Sequence, residues 1–346
     1  MKKLKMGILS TSNINRRKFL PALKKNNFFE FIGIAVANEK ERNVLLKDVN
    51  LNENIKKSLE TAKEIVDEYG GNIYNSFEKI INSKKIEAIY VPLPPALHYY
   101  WAKKILEKNK HVFLEKPSTI NYKDTLNLID LALEKNLSIH ENYAFVYHKQ
   151  LFIIKSLIKE NTIGDIRKIT TNFAFPFRGK NDFRYKRVLG GGALLDCGGY
   201  PIKVSSEILG EDVEIVSSVL NKKDFEVDLF GNVLLKNKNN IVSSISFGMD
   251  NSYKCELEIW GSEGTIYTDR IFTAPENYNP KIYIKNNKQN KTITVEEEDQ
   301  FSNSIDFFYN TIINKSIREE NFKKIIIQSK LIEQAFDKNK GDIYER

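Results

Sequence analysis

The sequence predicts a doubly wound α/β domain followed by an α+β domain with an open, mostly antiparallel sheet. Over the first 140 residues, short apolar runs alternate with longer amphipathic ones, the rhythm of a parallel sheet with helices on both faces. The runs themselves, such as Phe31–Ala37 and Ala88–Val91, lack in/out alternation, as strands buried on both sides do. Beyond about Ile166 the rhythm changes to closely spaced β-rich stretches. The boundary is expected near residue 140, giving domains over 1–140 and 141–346.

Each element follows from local pattern. Strands are expected at Met6–Leu9, Phe31–Ala37, Ala88–Val91, His111–Leu114 and Leu137–Ile139. Helices are expected at Arg16–Lys25, Ser58–Tyr69, Leu97–Glu107 and Lys123–Glu134, where apolar residues recur at helical spacing. The second half offers strands at Ile166–Phe175, Val213–Leu220, Phe225–Leu235, Ile241–Met249 and Cys255–Trp260. Turn signals at Lys236–Asn240 and Gly261–Gly264 separate them. The Asn/Lys-rich stretch Lys285–Lys291 reads as a solvated hairpin turn, and the last 40 residues return to helical spacing.

Composition narrows the function. Of 346 residues, 41% are hydrophobic and 28% charged, which supports a packed core and excludes a disordered chain. Fifty-three basic against 45 acidic residues give +8, a balance suited to an anionic partner. The lysines are spread along the chain without a basic stripe, which speaks against nucleic acid. Cys197 and Cys255 lack CxxC spacing and neighbouring histidines, so neither a disulfide framework nor a zinc site is expected. No metal is expected at His98, His111, His140 or His148. No apolar run reaches the ~18 residues of a membrane span. The apolar stretch at the N terminus ends at Leu9, short for a signal peptide. The expected compartment is the cytoplasm.

A strand running straight into small polar residues and a helix is where doubly wound proteins hold a dinucleotide pyrophosphate. Here the turn reads Gly7-Ile8-Leu9-Ser10-Thr11-Ser12-Asn13-Ile14-Asn15. The G-x-G-x-x-G spacing falls on Ser10, Ser12 and Asn15, with a glycine at none of them. Taken alone, the segment equally suits a helix cap built from Ser and Asn side chains. Ser10, Thr11, Ser12, Asn13 and Ile14 are the candidate cofactor residues. The second strand ends in Ala37-Asn38-Glu39-Lys40-Glu41-Arg42. Asn38 stands where a carboxylate would accept from the adenosine ribose and repel a 2′-phosphate. With Lys40 and Arg42 following, NADP(H) is preferred; Glu39 and Glu41 keep NAD(H) possible.

Three further segments are Ala88 to His98 (AIYVPLPPALH), Lys110 to Pro117 (KHVFLEKP) and Gly190 to Pro201 (GGGALLDCGGYP). In this order and at these strand ends, they make the chain similar to the Gfo/Idh/MocA family of NAD(P)-dependent oxidoreductases. The resemblance runs over most of the chain and is strongest from Met6 to Gly210. It implies a Rossmann domain with an α+β substrate and oligomerisation domain. It also implies a catalytic Lys116 after the strand ending at Glu115, with a Lys116–Pro117 peptide that is often cis in relatives. Leu93, Pro94, His98, Glu115, Lys116 and Glu141 become cofactor-side candidates. Pro95 stands where many relatives carry Asn.

The family helix carries an Asp and, four residues later, a His or Tyr. Here these are Asp196 and Tyr200, one helical turn apart and so expected on one face. Tyrosine is the choice of the sugar ketoreductase, glucose–fructose oxidoreductase and dihydrodiol dehydrogenase branches. Because a phenol has a pKa of ~10, Tyr200 works most simply as a neutral acid in reduction. Lys116 would stabilise the oxyanion and help re-protonate the tyrosine, while Asp196 would orient the substrate hydroxyl or hold Lys116. Lys116 as the sole acid stays open.

The segment Phe177 to Tyr185 mixes aromatic faces with arginines, and Phe272 to Tyr278 follows a strand in the second domain. Both resemble loops of the nucleotide-sugar 3-ketoreductases, in which Phe183 would stack a base while Arg178 and Arg184 pair a diphosphate. The expectation is NADPH-dependent reduction of a keto group, at C3, on a nucleotide-linked deoxysugar. The alternatives are a dehydrogenase of free sugars, polyols or trans-dihydrodiols, and an NADP-binding regulator without activity. The family further implies a homodimer or homotetramer formed through the open sheet face.

Overall fold

A run that is apolar at every position is stable as a strand only where both faces are covered, and Ala88–Val91, buried at every residue, is such a run at the centre of the first sheet. In a computed structural model, residues 2–45, 55–288 and 290–339 are described. The first sheet is parallel and comprises β1 (Leu4–Leu9), β2 (Phe29–Ala35), β3 (Asn72–Tyr74), β4 (Ala88–Val91), β5 (His111–Glu115) and β6 (Ile139–Asn142). Its strand order is β3-β2-β1-β4-β5-β6. This is the dinucleotide-binding order, in which winding reverses between β1 and β4 and ligands lie beyond the strands' carboxyl ends.

One compact unit comprises residues 1–142 with 301–326, and the other comprises 143–300 with 327–346. The first unit therefore contains a late segment that a single cut near residue 140 leaves in the second. Aromatic packing accounts for it. Phe308 stacks on Phe29 with ring centroids 5.5 Å apart and meets Phe113 edge-on at 5.3 Å. Ser304 Oγ lies 2.9 Å from His140 Nε2, and the Thr311 and Ser138 hydroxyls are 2.6 Å apart.

The second unit holds an eight-stranded sheet. Its strands are β7 (Ile166–Ala174), β8 (Val213–Asn221), β9 (Phe230–Asn237), β10 (Val242–Gly248), β11 (Lys254–Gly261), β12 (Gly264–Thr268), β13 (Lys281–Asn286) and β14 (Asn290–Thr294). The order is β14-β13-β12-β11-β7-β10-β9-β8, antiparallel except for the β7–β10 pair. Alternate residues such as Ile169, Leu235, Leu257 and Ile259 are buried in the core. The strand expected at Phe225–Leu235 begins only at Phe230, because the chain before it runs through turns and bends, with Glu226 exposed and Val227, Asp228 and Leu229 buried. Gln289, inside the expected hairpin turn, lies outside the described residues. Among the described residues no helix is long and apolar enough to cross a membrane. Cys197 and Cys255 are both buried and outside any disulfide.

Candidate functional site

In the first unit, β1 ends where Ser10 N donates to Ala35 O at 2.9 Å. Ser10 then adopts φ 75°, in the left-handed region. The helix that follows does not begin as the α-helix expected from Arg16. It winds as a π-helix over Asn15–Phe19 and becomes α over Leu20–Lys25; such wide turns recur at functional sites. Thr11, Ser12 and Ile14 are half-buried and Asn13 is exposed. Asn15, which the spacing marked only as a missing glycine, is fully buried. Its Nδ2 donates to Ser10 O at 3.3 Å and its backbone N to Ser12 Oγ at 3.4 Å. Its Oδ1 is buried with no protein partner.

Beyond β2 lies a cleft of about 450 Å³ whose lining includes Val36, Ala37, Asn38, Lys40, Leu59 and Asn75. A second, of about 630 Å³, shares Asn38 and Asn75 and adds Ser76 and Lys79. Glu39 also lines the first cleft and Glu78 the second, so apolar walls meet amide, ammonium and carboxylate groups there. Asn38 N donates to Glu41 Oε2 at 3.0 Å and Glu41 N to Asn38 Oδ1 at 2.9 Å, a reciprocal cap. Glu41 also accepts from Ser76 Oγ, Phe77 N and Glu78 N at 2.8–3.0 Å. Its charge is thus spent inside the protein, which removes one of the two carboxylates that left NAD open. Arg42 donates to Ala37 O and Ser58 Oγ, which ties it to the turn. Lys79, overlooked in the sequence, donates to Asn75 Oδ1 at 2.7 Å. Its one sequence signal was Ser76, three residues earlier, which caps the short helix Phe77–Ile81.

The Lys116–Pro117 peptide is cis. His98, expected to touch the cofactor, is instead wholly buried, with Nδ1 2.8 Å from Pro117 O and Nε2 2.8 Å from Leu93 O. Burial holds it below the usual imidazole range, opposed by the two carbonyls, and the ring bridges the Leu93-Pro94 loop and the Lys116-Pro117 loop. Glu141, expected beside the nicotinamide, is buried and accepts from Ser118 N at 2.7 Å. Glu115 accepts from Tyr90 Oη at 2.7 Å and Asn142 Nδ2 at 2.8 Å. Desolvation raises its carboxyl above the usual range, partly offset by those donors. The three residues build the frame around Lys116.

In the second unit, Gly190 and Gly192 take φ 74° and 123°. A Cβ at Gly192 would lie 2.5 Å from Asp228 Oδ1. Asp228 accepts from Leu194 N at 2.7 Å through its carboxylate and from Ala193 N at 2.8 Å through its carbonyl. The next turn is again a π-helix, over Leu194–Gly198, before the α-helix Gly199–Leu209. Asp196 thus sits within the π-turn and Tyr200 at the start of the α-helix, so the single α-helical turn expected between them begins as a wider one. Asp196 Oδ2 accepts from Arg184 Nε at 2.8 Å, and Asp182 accepts from Arg184 Nη1 at 3.0 Å.

Arg184, expected to clamp a diphosphate, is thus committed to two carboxylates. Burial opposes its charge, yet Asp196 and Asp182 hold it above the usual guanidinium range. Its guanidinium lies over the half-buried Phe183 ring at 4.6 Å. Arg178 is exposed, over the Phe175 ring at 4.5 Å. Tyr200 is half-buried, edge-on to Tyr143 at 5.2 Å and to Phe173 at 4.9 Å, with Phe145 and Phe272 each at 5.8 Å. Gly199 makes room for this, since a Cβ there would stand 2.1 Å from Tyr143 Oη.

Two family models match the chain. One, described as an oxidoreductase family with an NAD-binding Rossmann fold, covers residues 4–143, and the GFO/IDH/MocA C-terminal domain covers residues 153–267. The dTDP-3,4-didehydro-2,6-dideoxy-alpha-D-glucose 3-reductase of Actinomadura kijaniata is 30% identical over 342 residues, 99% of this chain and 97% of its own. The enzyme of that name from Saccharopolyspora spinosa is 36% identical over 233 residues, 67% and 70% of the two chains. Among solved structures, KijD10, a 3-ketoreductase from Actinomadura kijaniata in complex with NADP and TDP-benzene, superposes with a TM-score of 0.88 at 29% identity over 98% of each chain. At 18% identity, the aldose-aldose oxidoreductase from Caulobacter crescentus shares the fold, with a TM-score of 0.80 over 97% of this chain and 98% of its own.

Proposed function

Because the chain belongs to the GFO/IDH/MocA oxidoreductase family, we propose that it reduces the C3 keto group of a nucleotide-linked deoxysugar. The observation that carries this reading is similarity along nearly the whole chain to a 3-ketoreductase solved with NADP and TDP-benzene. NADPH, when bound, supplies the hydride. Tyr200 gives its phenolic proton to the oxygen that gains negative charge. Lys116 lowers the energy of that oxyanion and returns a proton to Tyr200. Asp196, fixed by Arg184, orients the sugar hydroxyls, and the exposed Arg178 meets the diphosphate with Phe183 beneath the base.

The cofactor is NADP(H) in preference to NAD(H). Asn38 in place of an acid, the internal use of Glu41 and the ammonium groups of Lys40 and Lys79 around the clefts all favour a 2′-phosphate. We place the enzyme in the cytoplasm, in keeping with two cysteines outside any disulfide. We further propose that it works as a homodimer or homotetramer joined through the open face of the eight-stranded sheet.

The test follows loss of NADPH absorbance with a dTDP-linked 3-keto-6-deoxysugar generated in the cuvette. The native chain should turn over, and Tyr200→Phe should lose about 10²–10⁴-fold in kcat while binding NADPH normally. Intact NADPH binding without turnover would move the substrate to free sugars or diols. Full activity in Lys116→Ala would remove that residue from the chemistry.

A further inference from the structure

We propose that Asn15 is a positioning residue for the dinucleotide turn, its side-chain amide holding in place a Ser10 backbone that elsewhere would need glycine. This rests on reading that turn as the NADPH pyrophosphate site. The glycine fingerprint divides its work: the first glycine makes the tight turn and the third lets helix and strand pack closely. In this chain those places hold Ser10 and Asn15.

Ser10 has φ 75°, where a side chain strains the backbone and glycine does not. Six described non-glycine residues share positive φ, and four of them are asparagines, the residue best suited to that region. Serine lacks that aptitude, so its conformation must be imposed by neighbours. Asn15 supplies the contact, donating from Nδ2 to Ser10 O and from its backbone N to Ser12 Oγ. One residue thereby closes the turn at both ends.

The arrangement has a cost that packing alone would not select. Asn15 is 0% exposed and its Oδ1 is buried without a partner, an unfavourable state that an alanine would avoid. The fingerprint itself accepts alanine at this place. The amide therefore serves the turn and not the core.

A double-mutant cycle tests the pairing. Asn15→Ala should raise the Kd for NADPH, read by fluorescence titration, about fivefold to tenfold, and the loss should fall on KM for NADPH more than on kcat. In a Ser10→Gly background the same substitution should change Kd by less than about twofold, since glycine no longer needs the hold. Denaturant unfolding of the cofactor-free protein should show the same non-additivity. Equal losses in both backgrounds, or undiminished affinity in Asn15→Ala, would overturn the proposal. Should Asn15→Ala fail to fold, recovery of the fold in the double variant supports the pairing, and failure of both overturns it. If the native chain binds neither NADPH nor NADH, the cofactor reading falls, while the unfolding cycle still decides whether Asn15 holds Ser10.

Discussion

At the scale of single residues, a histidine's meaning lies in what faces its ring. His111 accepts from Ser138 N at 3.0 Å through Nδ1, a bond only the unprotonated nitrogen can make. Burial, helped by Arg318, lowers its pKa to about 4 from 6.5. The folded state thus binds this proton more weakly than the unfolded state. The stability His111 contributes is present above pH 6.5 and is lost as pH falls through about 4. After discounting for partial exposure, the loss is of order 1–3 kcal/mol. Urea unfolding between pH 7 and 4.5 should show this decline in the native chain, and His111→Asn should flatten it. An unchanged slope in the variant would assign the acid sensitivity to other groups. The partner of His111 lies 27 residues away and could not be read in the sequence. The segments that hold Lys116 and Tyr200 stand out because each is contiguous in the sequence, whereas the pairing of Arg184 does not. Its carboxylate partners Asp182 and Asp196 meet it only once the loop and the π-turn have folded.

At the scale of elements, β4 and β5 were legible because their central residues are buried on both faces. The three-residue β3 and the polar-alternating β14 offered no such run. The two π-turns escaped because a sequence period of three to four fits α-winding and carries no mark of the extra residue. The second π-turn depends on Asp228, which lies outside every motif. Replacing it with alanine leaves Leu194 N, buried at the start of that turn, without its acceptor, costing about 1–3 kcal/mol. Asp228→Ala should therefore lower the unfolding midpoint and raise KM for the sugar more than it lowers kcat, since the turn carries Asp196, the residue proposed to orient the sugar hydroxyls. Melting curves and steady-state kinetics on one preparation check this. A native melting temperature with native KM would mean that Gly190 and Gly192 hold the loop unaided.

At the scale of the whole molecule, sheet register decides what a second copy would meet. Tyr283 pairs with Tyr267, Tyr267 with Glu258, Glu258 with Thr170, Thr170 with Ser244 and Ser244 with Leu234, one row across the open face. The next row runs Lys285, Thr265, Trp260, Lys168, Val242 and Lys236. The opposite face buries Ile266, Ile259, Ile169 and Leu235. Trp260 remains 58% exposed and Tyr283 38% exposed. Aromatic rings, small hydroxyl side chains, lysines and Glu258 line these rows, on the face through which we propose that copies associate. A two-fold axis through it would set acidic residues of one copy against basic residues of the other. A large aromatic ring at the centre of such a patch carries much of the binding energy. Trp260→Glu adds a charge beside Glu258 without touching the core, so each chain should fold normally while association weakens by about 100-fold or more. Light scattering at micromolar concentration should then fall from the mass of a dimer or tetramer to that of one chain. A native chain that is monomeric throughout, or a variant of unchanged mass, would show that copies do not meet through this face.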